Sequence, residues 1–119
     1  MTIREAIDRV DNLLFNTYTD AEKINWLSRL DEQVALLVQD AGSADRPWYT
    51  ADADKDTRLL VPSPFDEMYI YWLMAQMSYA NGEIDKYNNA IALYNTEYAA
   101  YEKWYHRNHR PKDPGNWRM

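Results

Sequence analysis

The sequence predicts an all-α protein: a four-helix bundle with a long C-terminal helix, an irregular or β-hairpin arm between helices two and three, and an extended C-terminal tail. Three observations carry that expectation. Apolar residues recur at steps of three and four over four separate stretches, the period of one face of a helix. Thr-x-x-Glu pairs open the first two stretches, at Thr2/Glu5 and Thr19/Glu22, where each side chain can bond the other residue's backbone N–H. Between about residues 40 and 62 the helical period stops. Residues 1–109 then form a single helical domain that includes this arm, and residues 110–119 form the tail, a length sufficient for one buried core.

The first helix is expected near residues 2–15, with Ile3, Ile7, Val10 and Leu14 as its stripe. The second, near residues 20–39, carries Ile24, Leu27, Leu30, Val34, Leu37 and Val38; the connection at Asn16 to Tyr18 is short enough for a helical hairpin. In the arm, Gly42, Ser43 and Pro47 punctuate, Trp48 to Thr50 and Thr57 to Val61 read as short strand-like runs, and Ala51 to Asp56 is an acidic turn. Ser63, Pro64 and Asp66 place the start of the third helix near residue 64: a capping Ser, Pro at the first helical position and an acid in the first turn. Its apolar face is wide, with Ile70, Leu73, Met74 and Met77 joined by Tyr69, Trp72 and Tyr79, which suits a central helix ending near Asn81 and Gly82. The fourth helix, near residues 83–107, presents Ile84, Tyr87, Ile91, Tyr94, Tyr98, Tyr101 and Tyr105 as a seam. Tyr serves half-buried cores and interfaces alike, so the seam can pack within the subunit or against another. Leu37, Leu73, Met77 and Ile91 are the expected core.

Composition excludes several functions. With no cysteine there is no disulfide, no thiol nucleophile and no thiolate metal site. No 18-residue apolar run exists, which argues against a membrane, and the N-terminus lacks the basic start and apolar run of a secretory signal. The formal net charge is -6; five basic residues against one acid in 103–119 give that end +4 and leave the first 102 residues at -10. An acidic body repels nucleic acid, whereas a basic tail can meet an acidic partner.

No residue pattern names an enzyme. The three glycines are isolated, so there is no phosphate-cradling loop, and no serine sits in a nucleophile elbow. Asp52, Asp54 and Asp56 alternate like the start of a calcium loop, but Thr57 stands where glycine is required and Ser63 where a bidentate Glu is required. His106 and His109 lack a third ligand at suitable spacing and read as helix-end residues favoured by the helix dipole. No catalytic, cofactor-binding or metal-binding residue is assigned.

The segment Asp56 to His109 resembles the small head-to-tail connector, or adaptor, proteins of the neck of tailed phages and prophages. The extended LLVPSP lead-in, the helix opening at PFDE, the turn NGEIDKYN and the Tyr-rich last helix carry the likeness. It implies a structural virion protein, made in the bacterial host cytoplasm and located in the neck. It also implies a homo-oligomeric ring of about twelve copies, in which each subunit uses two different faces. The ring would join the portal protein to neighbouring neck or tail proteins and let DNA pass without specific binding. The likeness transfers no active-site residue and no cofactor. From the residues themselves, Trp48, Tyr49, Arg107, Arg110, Trp117 and Arg118 are the candidate interaction residues: aromatic anchors and bidentate cations outside the expected bundle. Tyr49 and Trp48 could instead fold back on the bundle's own core. The competing class is a small acidic, phage-encoded interaction protein or inhibitor that binds a host protein.

Overall fold

A computed structural model describes residues 1–38 and 49–108. Four helices are present, α1 (Ile3–Leu13), α2 (Asp20–Val38), α3 (Glu67–Ala80) and α4 (Ile84–Asn108), and no strand forms among the described residues. The protein is thus mostly helical, as the periodicity requires. α3 is the central element: it packs along α4 and also touches α1 and α2. Its wide face is buried accordingly, with Met68, Tyr69, Ile70, Leu73 and Met77 excluded from solvent together with Ile24, Leu27, Leu30 and Val34 of α2.

Both expected capping boxes form. Thr2 Oγ1 accepts from Glu5 N–H at 3.1 Å while Glu5 Oε1 accepts from Thr2 N–H at 2.8 Å. Thr19 and Glu22 repeat the exchange, each bond 3.1 Å long. α1 ends at Leu13, two residues short of the expected residue 15. Asn16 stops it: the side-chain amide donates to Leu14 O and to Asp11, and its oxygen accepts from Tyr18 N–H, so the local side chain supplants the next helical turn.

The third helix begins at Glu67 rather than at residue 64, and its N-cap is Asp66, which makes no side-chain cap bond. Before it the backbone turns tightly, with Phe65 N–H donating to Pro62 O and Met68 N–H to Phe65 O; the Ser63–Pro64 peptide bond is cis. The exit from α3 follows expectation. Gly82 sits at φ +74, and Gly82 N–H and Glu83 N–H donate back to Tyr79 O and Ser78 O, the paired bonds of a left-handed helix terminus. That turn reverses the chain into α4, whose 25 residues extend about 37 Å.

Of the irregular or β-hairpin arm expected between α2 and α3, the described residues 49–61 are irregular. Residues 49–61 lie as a strap against the helices, burying Tyr49, Leu59 and Val61. Among the described residues, Thr57 to Leu59 does not pair with Tyr49 and Thr50 as a hairpin. It runs beside the start of the chain, through one isolated antiparallel bridge between Thr2 and Arg58, with Ile3 N–H donating to Thr57 O and Leu59 N–H to Met1 O. The physical reason is that Leu59 and Val61 are buried in the core while the bends at Leu60 and Val61 turn their N–H groups to Asp31 of α2 and Tyr69 of α3. The expected core residues Leu73 and Met77 are fully buried; Leu37 and Ile91 lie at the margin of the core.

Candidate functional site

Asp31 is the structure's most unusual side chain. It lies on the apolar stripe of α2, four residues after Leu27 and three before Val34, so the helix carries it inward, and it is 0% exposed. Three donors meet its carboxylate: Tyr49 O–H at 2.6 Å, Tyr69 O–H at 2.5 Å and Leu60 N–H at 3.0 Å. Tyr69 Oη also accepts from Val61 N–H at 2.8 Å, and Ser28, one turn before Asp31, accepts from Tyr49 N–H at 3.0 Å. Burial pushes the Asp31 carboxyl above the ordinary range, although all three hydrogen bonds pull the other way. The same burial, with the Asp31 charge, pushes the Tyr49 and Tyr69 phenols up. Both tyrosines therefore serve as hydrogen-bond donors at neutral pH.

Tyr49 was an expected interaction anchor, and the structure corrects that. It is 9% exposed, and both its N–H and its O–H are engaged inside the subunit, so this aromatic has folded back to complete the core. Arg107 is exposed in the last turn of α4, where it lines a shallow depression with Glu102, Lys103 and His106. Trp48, Arg110, Trp117 and Arg118 lie outside the described residues, as does His109.

The tyrosine seam of α4 packs largely within the subunit. Tyr94 and Tyr101 are buried, with Tyr94 against Trp72 at 5.0 Å between ring centroids and Tyr101 against Phe65 at 5.7 Å. Phe65 also meets Trp104, and Tyr105 O–H donates to Val38 O at 2.9 Å, tying α4 to the end of α2. Burial raises the Tyr101 phenol to about 12, with Tyr105, Tyr98 and Asp31 adding to the shift. Ile84 departs from the seam's expected role and is exposed, because the seam enters contact with α3 only beyond the turn.

A second surface was missed from sequence. Phe15 is 90% exposed and Leu13 63%, flanking Leu14, which lines a groove of about 220 Å³ with Met74, Ser78, Lys86, Asn89, Ala90 and Leu93. Leu93 is itself 48% exposed. The signal was available: Leu13 and Phe15 fall off the Ile3-Ile7-Val10-Leu14 stripe, and Leu93 falls off the tyrosine seam, so none of the three has a place in the core. An apolar groove with the exposed Leu93 in its lining is a candidate surface for protein contact.

The acidic turn is occupied by the fold's own contacts. Asp56 pairs with Arg4 at 3.1 Å, Asp54 Oδ1 accepts from Asp56 N–H, and Lys55 pairs with Asp20. Among the described residues, no group of three His, Asp or Glu is placed to hold a metal ion, and no helix is long and apolar enough to cross a membrane. No known protein family, curated protein or solved structure matches the chain.

Proposed function

We propose that this chain is a structural subunit of the head-to-tail neck of a tailed phage, a connector that assembles into a ring between portal and tail. The observation that carries the proposal is the uncovered apolar surface: the groove lined by Leu14, Met74 and Leu93, and the exposed side chains of Leu13 and Phe15, which adjoin Leu14 in the chain. A side chain such as Phe15 exposed at nine-tenths of its surface is costly in a lone subunit and is covered in an assembly. The resemblance of residues 56–109 to connector proteins supports reading that assembly as a neck ring. The charge distribution fits the same role, since a body of -10 over residues 1–102 repels DNA passing through a ring rather than retaining it.

The test is to measure the chain in purified particles of the phage that encodes it, by quantitative mass spectrometry, and to locate it by cryo-electron microscopy. Several copies per particle, in density between portal and tail, are expected. Absence from particles, together with a chain that stays monomeric or dimeric at micromolar concentration, would favour the small acidic inhibitor instead.

A further inference from the structure

One carboxylate joins both ends of the strap to the helices. Tyr49, at the start of residues 49–61, donates to Asp31; Leu60, at the end, donates to the same carboxylate; Val61 reaches it through the Tyr69 hydroxyl. Ser28 Oγ also accepts from Tyr49 N–H inside the subunit, and backbone bonds join Lys55, Thr57 and Leu59 to the start of the chain; the strap's ion pairs, Arg4–Asp56 and Lys55–Asp20, lie at the surface, where such pairs contribute little. Among the described residues no cation forms an ion pair with Asp31. The titratable groups that face it are Tyr49 from the strap, Tyr69 from α3, Tyr101 from α4, whose phenol feels the Asp31 charge, and the Met1 amino group, whose charge opposes the effect of burial.

We propose that Asp31 is a carboxylate latch: the strap of residues 49–61 opens from the helices as a unit, and protonation of Asp31 favours the closed state. Closing the strap removes the carboxylate from water without supplying a counter-cation, which disfavours the charged form. Opening rehydrates it. The carboxyl is therefore more basic with the strap closed than with it open, the direction in which burial displaces it. A group whose closed-state pKa is raised binds its proton on closing, so closure strengthens as the pH falls through the closed-state pKa and weakens as the pH rises through it. Across the window between the two pKa values, the opening constant changes about tenfold per pH unit. The strap is thus a pH-responsive element independent of what the assembled protein does.

Amide hydrogen exchange on the full chain, converted to protection factors between about pH 4 and pH 8, tests this at the N–H groups of Leu60 and Val61, with Leu27 and Leu73 reporting the helical core. In the wild type, protection at Leu60 and Val61 is expected to fall relative to the core as the pH rises. In Asp31→Asn, which cannot titrate, that ratio is expected to stay flat. Tyr49→Phe keeps the carboxyl and loses one donor, so it is expected to lower strap protection while retaining the pH dependence, and it serves if Asp31→Asn does not fold. A pH-independent ratio in the wild type, an equal slope in Asp31→Asn, or a flat profile in Tyr49→Phe would each overturn the latch.

Discussion

Tyr69 and Tyr49 share an acceptor, yet their hydroxyls are not equivalent. Tyr69 Oη donates to Asp31 and accepts from the buried Val61 N–H, whereas Tyr49 Oη only donates. Tyr69→Phe strands two buried groups and is expected to cost about 2 to 4 kcal/mol, against about 1 to 2 kcal/mol for Tyr49→Phe. Urea unfolding of both variants checks the order, and equal losses would contradict it. Leu73 is fully buried at the centre of α3, so Leu73→Ala is expected to cost about 2 to 5 kcal/mol. A melting temperature within a degree of the wild type would contradict that. The carboxylates differ in sign as well as size. Asp11, though partial burial opposes it, is held below the ordinary range by Asn16 and Lys23, so its contribution is present above the unfolded pKa and lost as the pH falls through the folded one. Asp31 runs the other way. Its place was legible in part, since it stands on the stripe between Leu27 and Val34, but nothing local indicates that tyrosines 18 and 38 residues downstream supply its donors.

Helix starts were readable where one side chain decides them and unreadable where the backbone does. The Thr2/Glu5 and Thr19/Glu22 boxes are four-residue signals, complete in themselves, and both form. Ser63-Pro64 carries the residue types of a helix start, yet the chain turns once more before Glu67, because Phe65 reaches the rings of Tyr101 and Trp104 on α4. That contact spans some forty residues and leaves no local trace. The arm's two alternatives, irregular or hairpin, stay open for the same reason: Leu59 and Val61 look like a strand seeking a hairpin partner, and their burial in the core depends on distant helices. At the α3–α4 turn, a Cβ on Gly82 would meet nothing within 4 Å, so the conformation alone resists substitution. Gly82→Ala is expected to cost about 1 to 2 kcal/mol through the left-handed φ of +74, without a change in helix content. A neutral effect on thermal unfolding would contradict that assignment.

For the whole molecule, the division between covered and uncovered apolar surface carries the functional reading. The tyrosine seam of α4, which equally suited an interface, is largely taken up by Phe65 and Trp72 within the subunit. Leu13, Phe15 and Leu93 are left exposed, Leu93 in the lining of the Leu14–Met74 groove, and these are the side chains the proposed neighbour would cover. Sequence showed which residues fall off each stripe, but not that Leu14 of α1's C-cap and Leu93 of α4 would line one groove, since that depends on how α1 and α4 both pack on α3. The most direct measurement of the central claim is the copy number of this chain per particle when Phe15→Glu and Leu93→Glu are introduced together. The account predicts a variant whose isolated melting temperature stays within a few degrees of the wild type, because neither side chain is in the core, and whose incorporation into particles is lost. Normal incorporation of the folded double variant would contradict it.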